Sequence, residues 1–154
     1  DFLLDVFAKI KKAHPNAKLL LVGEGELEDR IKDKIKNLGL GGNVIISGVR
    51  KDVPALLSAL DMLLFPSLYE GMPNVIIEAQ ATGLPCLIAD TITKQVAVTP
   101  LVTFLPITDT AVWEAAAEDI IAANKQNLDK RDKISLPESY DINKVVKTFT
   151  SLLK

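Results

Sequence analysis

The sequence predicts a doubly wound α/β domain built on a parallel sheet. Three observations point there. Short, largely apolar runs recur along the chain as LLLVG, VIISG, MLLFP, PCLIA and LVTFL, and strands without polar alternation are those covered on both faces. The stretches between them carry the 3.6-residue periodicity of helices. The runs give way to loops rich in Gly, Pro, Ser or Asp, the chemistry of strand-to-helix turns.

The elements follow in order. Residues 2–13 (FLLDVFAKIKKA) form an amphipathic helix with Leu3, Val6, Phe7 and Ile10 on one face. The strand 19–23 comes next, then a helix over 27–39 that ends at Gly39, and a second strand over 44–48. A short helix starts at Asp52, whose side chain suits an N-cap. After the strand 62–66, the turn residues Gly71, Pro73 and Asn74 lead into the helix VIIEAQA. The strands 85–89 and 101–105 and the helix 110–125 complete the alternation. Beyond it, NLDKRDKI reads as a solvated connection and DINKVVKTFTSLLK as a final amphipathic helix.

Composition bounds the function. At 154 residues with 48% apolar content the chain buries one substantial core and reads as a single soluble domain. A formal charge of −2 provides no basic field, which argues against nucleic acid as a partner. No stretch approaches the ~18 apolar residues that span a bilayer, and no signal peptide precedes the first helix. A cytoplasmic location is the default expectation. Cys86, the single cysteine, lies in an apolar run and reads as a core residue. Trp113 reads as a core anchor, and His14 as a surface residue without a chemical role. Because a helix starts at once from Asp1 with no strand before it, the chain reads as a piece of a larger protein.

Glu70 and Glu78 are the candidate catalytic residues. The first falls in a loop and the second one turn inside a helix, so both carboxylates flank a helix N-terminus. Free backbone N–H groups and the positive end of the macrodipole favour an anionic ligand there. A phosphate on the amides, with sugar hydroxyls on the carboxylates, fits this arrangement, and a sugar nucleotide combines the two.

In an open parallel sheet, ligands bind beyond the carboxyl ends of the strands. Those ends carry residues 23–26, 48–50, 66–74 and 90–95, so the informative loops share one rim. The GEGE loop after the first strand resembles a dinucleotide fingerprint but fails it, since Glu28 stands at the third glycine position and Glu24, Glu26 and Glu28 repel a pyrophosphate. Gly48 permits close backbone approach, and Val49 and Arg50 are placed to flank a base. With no Asp-x-Asp pair and no Cys/His cluster, a metal is not expected. Arg50, Lys51 and Lys94 are the cations within reach of a diphosphate.

The segments LLLVGEGE and ISGVRKDVPALLSALDMLLFPSLYEGMPNVIIEAQATGLPCLIAD together resemble the C-terminal, donor-binding half of a family 4 glycosyltransferase with the GT-B fold. The two glutamates with their flanking PS and EAxAxGxP carry the likeness. DTITKQV and LVTFLPI further resemble Gram-positive capsular or exopolysaccharide enzymes.

The resemblance implies a retaining, metal-independent enzyme that uses a UDP- or GDP-linked sugar, with no cofactor. It places Glu70 by the transferred sugar and Glu78 on the ribose hydroxyls. Gly71, Met72, Pro73, Asn74 and Val75 would line the diphosphate with backbone N–H groups offered from Met72 to Val75. Gly23, Gly48 and Val49 would line the nucleobase. The acceptor, a saccharide or lipid-linked saccharide, would be held by an upstream domain that these residues lack, along with the first strand and the family's Arg and Lys. Peripheral contact with the inner face of the plasma membrane is compatible with such an acceptor. Gln95 departs from the glutamate that many members carry. A sugar-nucleotide epimerase of the same fold and a non-enzymatic binding module are the rival readings.

Overall fold

The computed structural model describes residues 1–126 and Tyr140. The connection 127–134 and the final helix expected over 141–154 lie outside the described residues. Along the chain run α1 (Phe2–Ala13), β1 (Leu19–Leu21), α2 (Glu28–Asn37), β2 (Val44–Ile46), α3 (Val53–Ala59), β3 (Leu63–Phe65), α4 (Asn74–Ala81), β4 (Cys86–Ala89), β5 (Val102–Leu105) and α5 (Thr110–Gln126). One 3-10 turn, Lys94–Val96, interrupts the β4–β5 connection and was not legible in the sequence.

All strand pairs among the described residues are parallel, as the near-continuous apolar runs led one to expect. They fall into two groups, however, β1 with β2 and then β3–β4–β5 in that order, where the sequence led to one sheet. Among the described residues, nothing pairs with the edge of β1 opposite β2 or the edge of β3 opposite β4. β4 is buried along its whole length, and because successive side chains point to opposite faces, both its faces are covered. The contacting helix pairs α1 with α5 and α3 with α4 supply the two covers.

Two apolar clusters form the core. Val6 and Ile10 of α1 join Leu57, Ile76, Leu87, Ile88 and Trp113 in the larger. Leu4 and Phe7 of the same helix join Leu19, Ile35 and Leu40 in the smaller. α1 therefore spans both groups of strands. Leu3, expected on its buried face, is only half-buried, and Leu4 takes the buried place instead. The reason is the breadth of the apolar stripe, which has to serve two clusters at once.

Local chemistry sets the boundaries. α2 carries Glu28 and Asp29 in its first turn and Lys34 and Lys36 in its last, matching the macrodipole. It stops at Gly39, whose φ of 65° a glycine reaches without steric cost. There the Leu40 N–H bonds back to the Ile35 carbonyl at 2.9 Å. Trp113 is fully buried, donating from Nε1 to the Pro106 carbonyl at 2.8 Å and meeting Phe2 edge-on at 5.6 Å. Cys86 is also fully buried, and desolvation pushes its thiol up to about 12.

Candidate functional site

The strand ends bring the expected loops together in two halves. In the first, the Gly23 N–H donates to the Gly48 carbonyl at 2.9 Å, which joins the loops after β1 and β2. Both glycines have positive φ, 129° and 65°, so their type follows from backbone conformation. A cavity of about 260 Å³ lies beside this junction, between the end of β1 and the first turn of α2. Gly23, Glu24, Leu27 and Ile31 line it, whereas Gly48, Val49, Glu70 and Glu78 do not. Val49 is 65% exposed on the rim.

In the second half, β3 ends at Phe65 and the chain loops out before α4. The Thr91 hydroxyl, after β4, donates to the Ser67 carbonyl at 3.1 Å, tying the β4 loop to this one. Ser67 in turn donates from its hydroxyl to Glu70 Oε1 at 3.1 Å, which orients the carboxylate. Glu70, Gly71 and Met72 are exposed, and Tyr69 is 91% exposed, so none of this loop's side chains from Leu68 to Met72 is spent on the core.

Pro73 occupies the N-cap position of α4, with φ −73° and ψ 102°, and makes no side-chain capping bond. Lacking an N–H, Pro73 cannot donate; of the segment expected to offer amides, only Met72, Asn74 and Val75 can. Among the described residues no carbonyl or side chain accepts from the N–H of Asn74 or Val75, while Ile76 donates to Pro73 at 3.1 Å. These are the orphan donors of a helix start. Glu78 lies four residues into the helix, roughly 6 Å along its axis, and is exposed. Neither Glu70 nor Glu78 enters an ion pair among the described residues.

The cations behave differently from the sequence expectation. Arg50 is not free to meet a ligand: its guanidinium forks onto the Asp52 carboxylate at 2.8 and 2.6 Å. That hydrogen bond holds Asp52 below the usual carboxylate range and raises the guanidinium. It also explains why Asp52, although at the N-cap position of α3, makes no side-chain cap; only its carbonyl accepts, from Ala55 and Leu56. Lys94 lies over the Phe104 ring, 3.4 Å from its centroid. Lys51 is exposed. His14 is half-buried, with Nε2 at 2.8 Å from the Glu118 carboxylate on α5, so the surface reading of that residue is corrected.

Gln80 was not singled out by sequence, yet its side chain is fully buried and bonded throughout. Nε2 donates to the carbonyls of Ile76 and Val96, and Oε1 accepts from the Val98 and Thr99 N–H groups and the Thr99 hydroxyl. It pins the helix that carries Glu78 to the β4–β5 connection. The signal was present: Gln80 sits on the stripe of Ile76 and Ile77, where a polar residue needs internal partners.

Parallel strands between helical layers, with glycine loops and an open helix start at the strand ends, define a Rossmann-like α/β domain. The chain belongs to the glycosyl transferases group 1 family, whose profile matches residues 1–136. It is 38% identical over 135 residues to the putative glycosyltransferase EpsF of Bacillus subtilis, covering 86% of this chain and 34% of that protein. Over 77 residues it is 40% identical to the Escherichia coli UDP-Gal:alpha-D-GlcNAc-diphosphoundecaprenol alpha-1,3-galactosyltransferase, covering 49% of this chain and 20% of that one. Among solved structures it resembles HepE of Anabaena in complex with UDP-glucose, with a TM-score of 0.66 and 25% identity over 80% of this chain and 35% of that one. The chain thus spans about a third or less of the length of these relatives. Its fold is the Rossmann-like unit of a GT-B glycosyltransferase. Among the described residues, no helix is long and apolar enough to cross a membrane.

Proposed function

We propose that this domain holds the nucleotide-diphosphate sugar of a retaining, metal-independent glycosyltransferase. The whole protein then transfers the sugar to a saccharide or lipid-linked acceptor in surface-polysaccharide synthesis. The observation that carries the reading is the start of α4, where the unpartnered N–H groups of Asn74 and Val75 stand between two exposed carboxylates free of ion pairs. Amides and macrodipole meet the diphosphate; Glu78 takes the ribose hydroxyls, and Glu70, oriented by Ser67, takes the transferred sugar. Gly23, Gly48 and Val49 border the base, whereas Arg50, held by Asp52, takes no part in the contact. A transferase is preferred to an epimerase because relatives across much of this chain bear transferase names, and UDP is preferred to GDP because HepE was solved with UDP-glucose.

As the glycosidic bond breaks, negative charge grows on the departing nucleotide diphosphate and positive charge on the sugar. A preorganised donor aimed at the departing oxygens stabilises that state, and removing one typically costs about 3 kcal/mol of barrier. In the full-length protein, Glu78→Gln is expected to weaken donor binding and Glu70→Ala to lower turnover, measured by calorimetry with UDP-sugars and by single-substrate kinetics. Wild-type constants for both variants would overturn the assignment. The 154 residues alone are expected to transfer no sugar.

A further inference from the structure

Through residue 126 the aromatic side chains divide into two kinds. Phe2, Phe7, Phe65, Phe104 and Trp113 belong to the two apolar clusters or pack against them. Tyr69 is 91% exposed, on the loop that carries Glu70. We propose that the Tyr69 ring is a stacking platform for the saccharide that accepts the transferred sugar. This rests on the donor-binding reading given above and adds the side from which the acceptor enters.

The ring has no part in holding the domain together. Its hydroxyl finds no hydrogen-bond partner among the described residues. A tyrosine left in water forgoes the burial that makes aromatic residues core anchors, and a loop turns on small polar residues rather than on a phenol. Leu68 and Met72 of the same loop are exposed as well, so the apolar surface extends beyond one residue.

The backbone beneath the ring is fastened. The Thr91 hydroxyl donates to the Ser67 carbonyl at 3.1 Å. The Ser67 hydroxyl lies 3.1 Å from Glu70 Oε1 and 3.4 Å from the Tyr69 carbonyl. The base of the ring is thus held to the β4 loop while the ring itself stays in solvent. A side chain with few torsions on a fixed base loses little freedom when a ligand settles on it.

Chemistry selects the occupant. A pyranose carries hydroxyls around its edge and C–H bonds on its faces. A carboxylate accepts from the hydroxyls, and the electron-rich face of an aromatic ring attracts the partly positive C–H hydrogens. Glu70 and Tyr69, adjacent in the chain, supply both kinds of contact. They serve different sugars, because Glu70 is turned back onto Ser67 whereas the ring touches little of this domain. A sugar held between the start of α4 and Glu70 is engaged from the inside. Its acceptor comes from the outside, over Tyr69, and a pyranose stacked there has its hydroxyls beside the reacting carbon.

Saturation-transfer NMR on the 154-residue chain tests the platform without any nucleotide. The probe is methyl β-D-glucopyranoside, whose hydroxyls all lie at the ring edge and leave both faces bare. Irradiating the aromatic protons should carry saturation to the C–H protons of the glucoside and none to sorbitol, a polyol without a ring. Tyr69→Phe should keep the signal, since the face makes the contact. Tyr69→Leu, apolar but not aromatic, and Tyr69→Ala should each weaken binding at least about fivefold, with the melting temperature unchanged. Adding UDP-glucose should leave the signal in place. No signal in the wild type, or a signal that survives Tyr69→Leu, would overturn the proposal. Displacement of the glucoside by UDP-glucose would overturn it in favour of the transferred sugar as the occupant. Light scattering that shows a dimer abolished by Tyr69→Ala would overturn it in favour of a second copy. Calorimetry with UDP-glucose on the same sample reports separately on the donor-binding reading.

Discussion

Replacing Gln80 with methionine is expected to cost this domain about 2 kcal/mol while nearly conserving side-chain volume. The five bonds of Gln80 do not weigh equally. The Ile76 carbonyl is interior to α4, and the Val96 carbonyl also accepts from the Val98 N–H at 3.1 Å, so neither is orphaned when Nε2 is lost. On Oε1 the Val98 N–H keeps that same bond to Val96, so the donors that suffer are the Thr99 N–H and hydroxyl, each at 2.9 Å. At about 1 kcal/mol net per hydrogen bond the sum is about 2 kcal/mol. For a chain of this length that lowers the melting temperature by roughly 4–8 °C. Urea denaturation followed by the fluorescence of Trp113, the sole tryptophan, gives the free energy directly, and the slope against urea should not change. A Gln80→Glu variant keeps the acceptors but sets a carboxylate against two carbonyls. It should be worse than methionine at neutral pH and recover on acidification, when the protonated acid can donate. A loss below about 0.5 kcal/mol for Gln80→Met would refute the view that this amide anchors the β4–β5 connection.

Burial raises the Cys86 thiol from 9.0 to about 12, so the folded state keeps its proton where the unfolded chain loses it. That contribution to stability is fully present below pH 9.0 and is lost as pH rises toward 12. Alkylation by iodoacetamide near pH ~8 should therefore be slow in the native protein and fast in denaturing urea; rapid native labelling would contradict the burial. Trp113→Phe removes the bond to the Pro106 carbonyl and part of a fully buried ring. It should cost about 2 kcal/mol in thermal unfolding followed by circular dichroism, and an unchanged melting temperature would contradict the anchoring role.

What could be read from the sequence was what depends on local pattern. The five strands were legible because apolar residues, mostly Leu, Ile, Val and Phe, fill them with Thr103 of β5 as the one polar interruption, and α4 because Gly71, Pro73 and Asn74 announce a turn before a periodic stretch. The placement of Glu70 in a loop and Glu78 inside a helix followed from the same signals. Pairings were not legible, because they are set by neighbours in space. Arg50 has Asp52 two residues away and lies against it, which removes both the free cation and the side-chain cap. His14 meets a glutamate 104 positions on, and Lys94 finds the face of Phe104. The division of the strands into two groups was equally hidden, since an apolar run reads the same whether one edge or both are paired.

The grip of α1 has a mechanical consequence. Leu4 and Phe7 hold one apolar cluster while Val6 and Ile10 hold the other, so the helix acts as an axle between two plates. Turning it by one residue, about 100°, would exchange which side chains engage which plate, and close packing forbids that. Any change in the spacing of the two strand groups therefore has to be absorbed in the packing of this one helix.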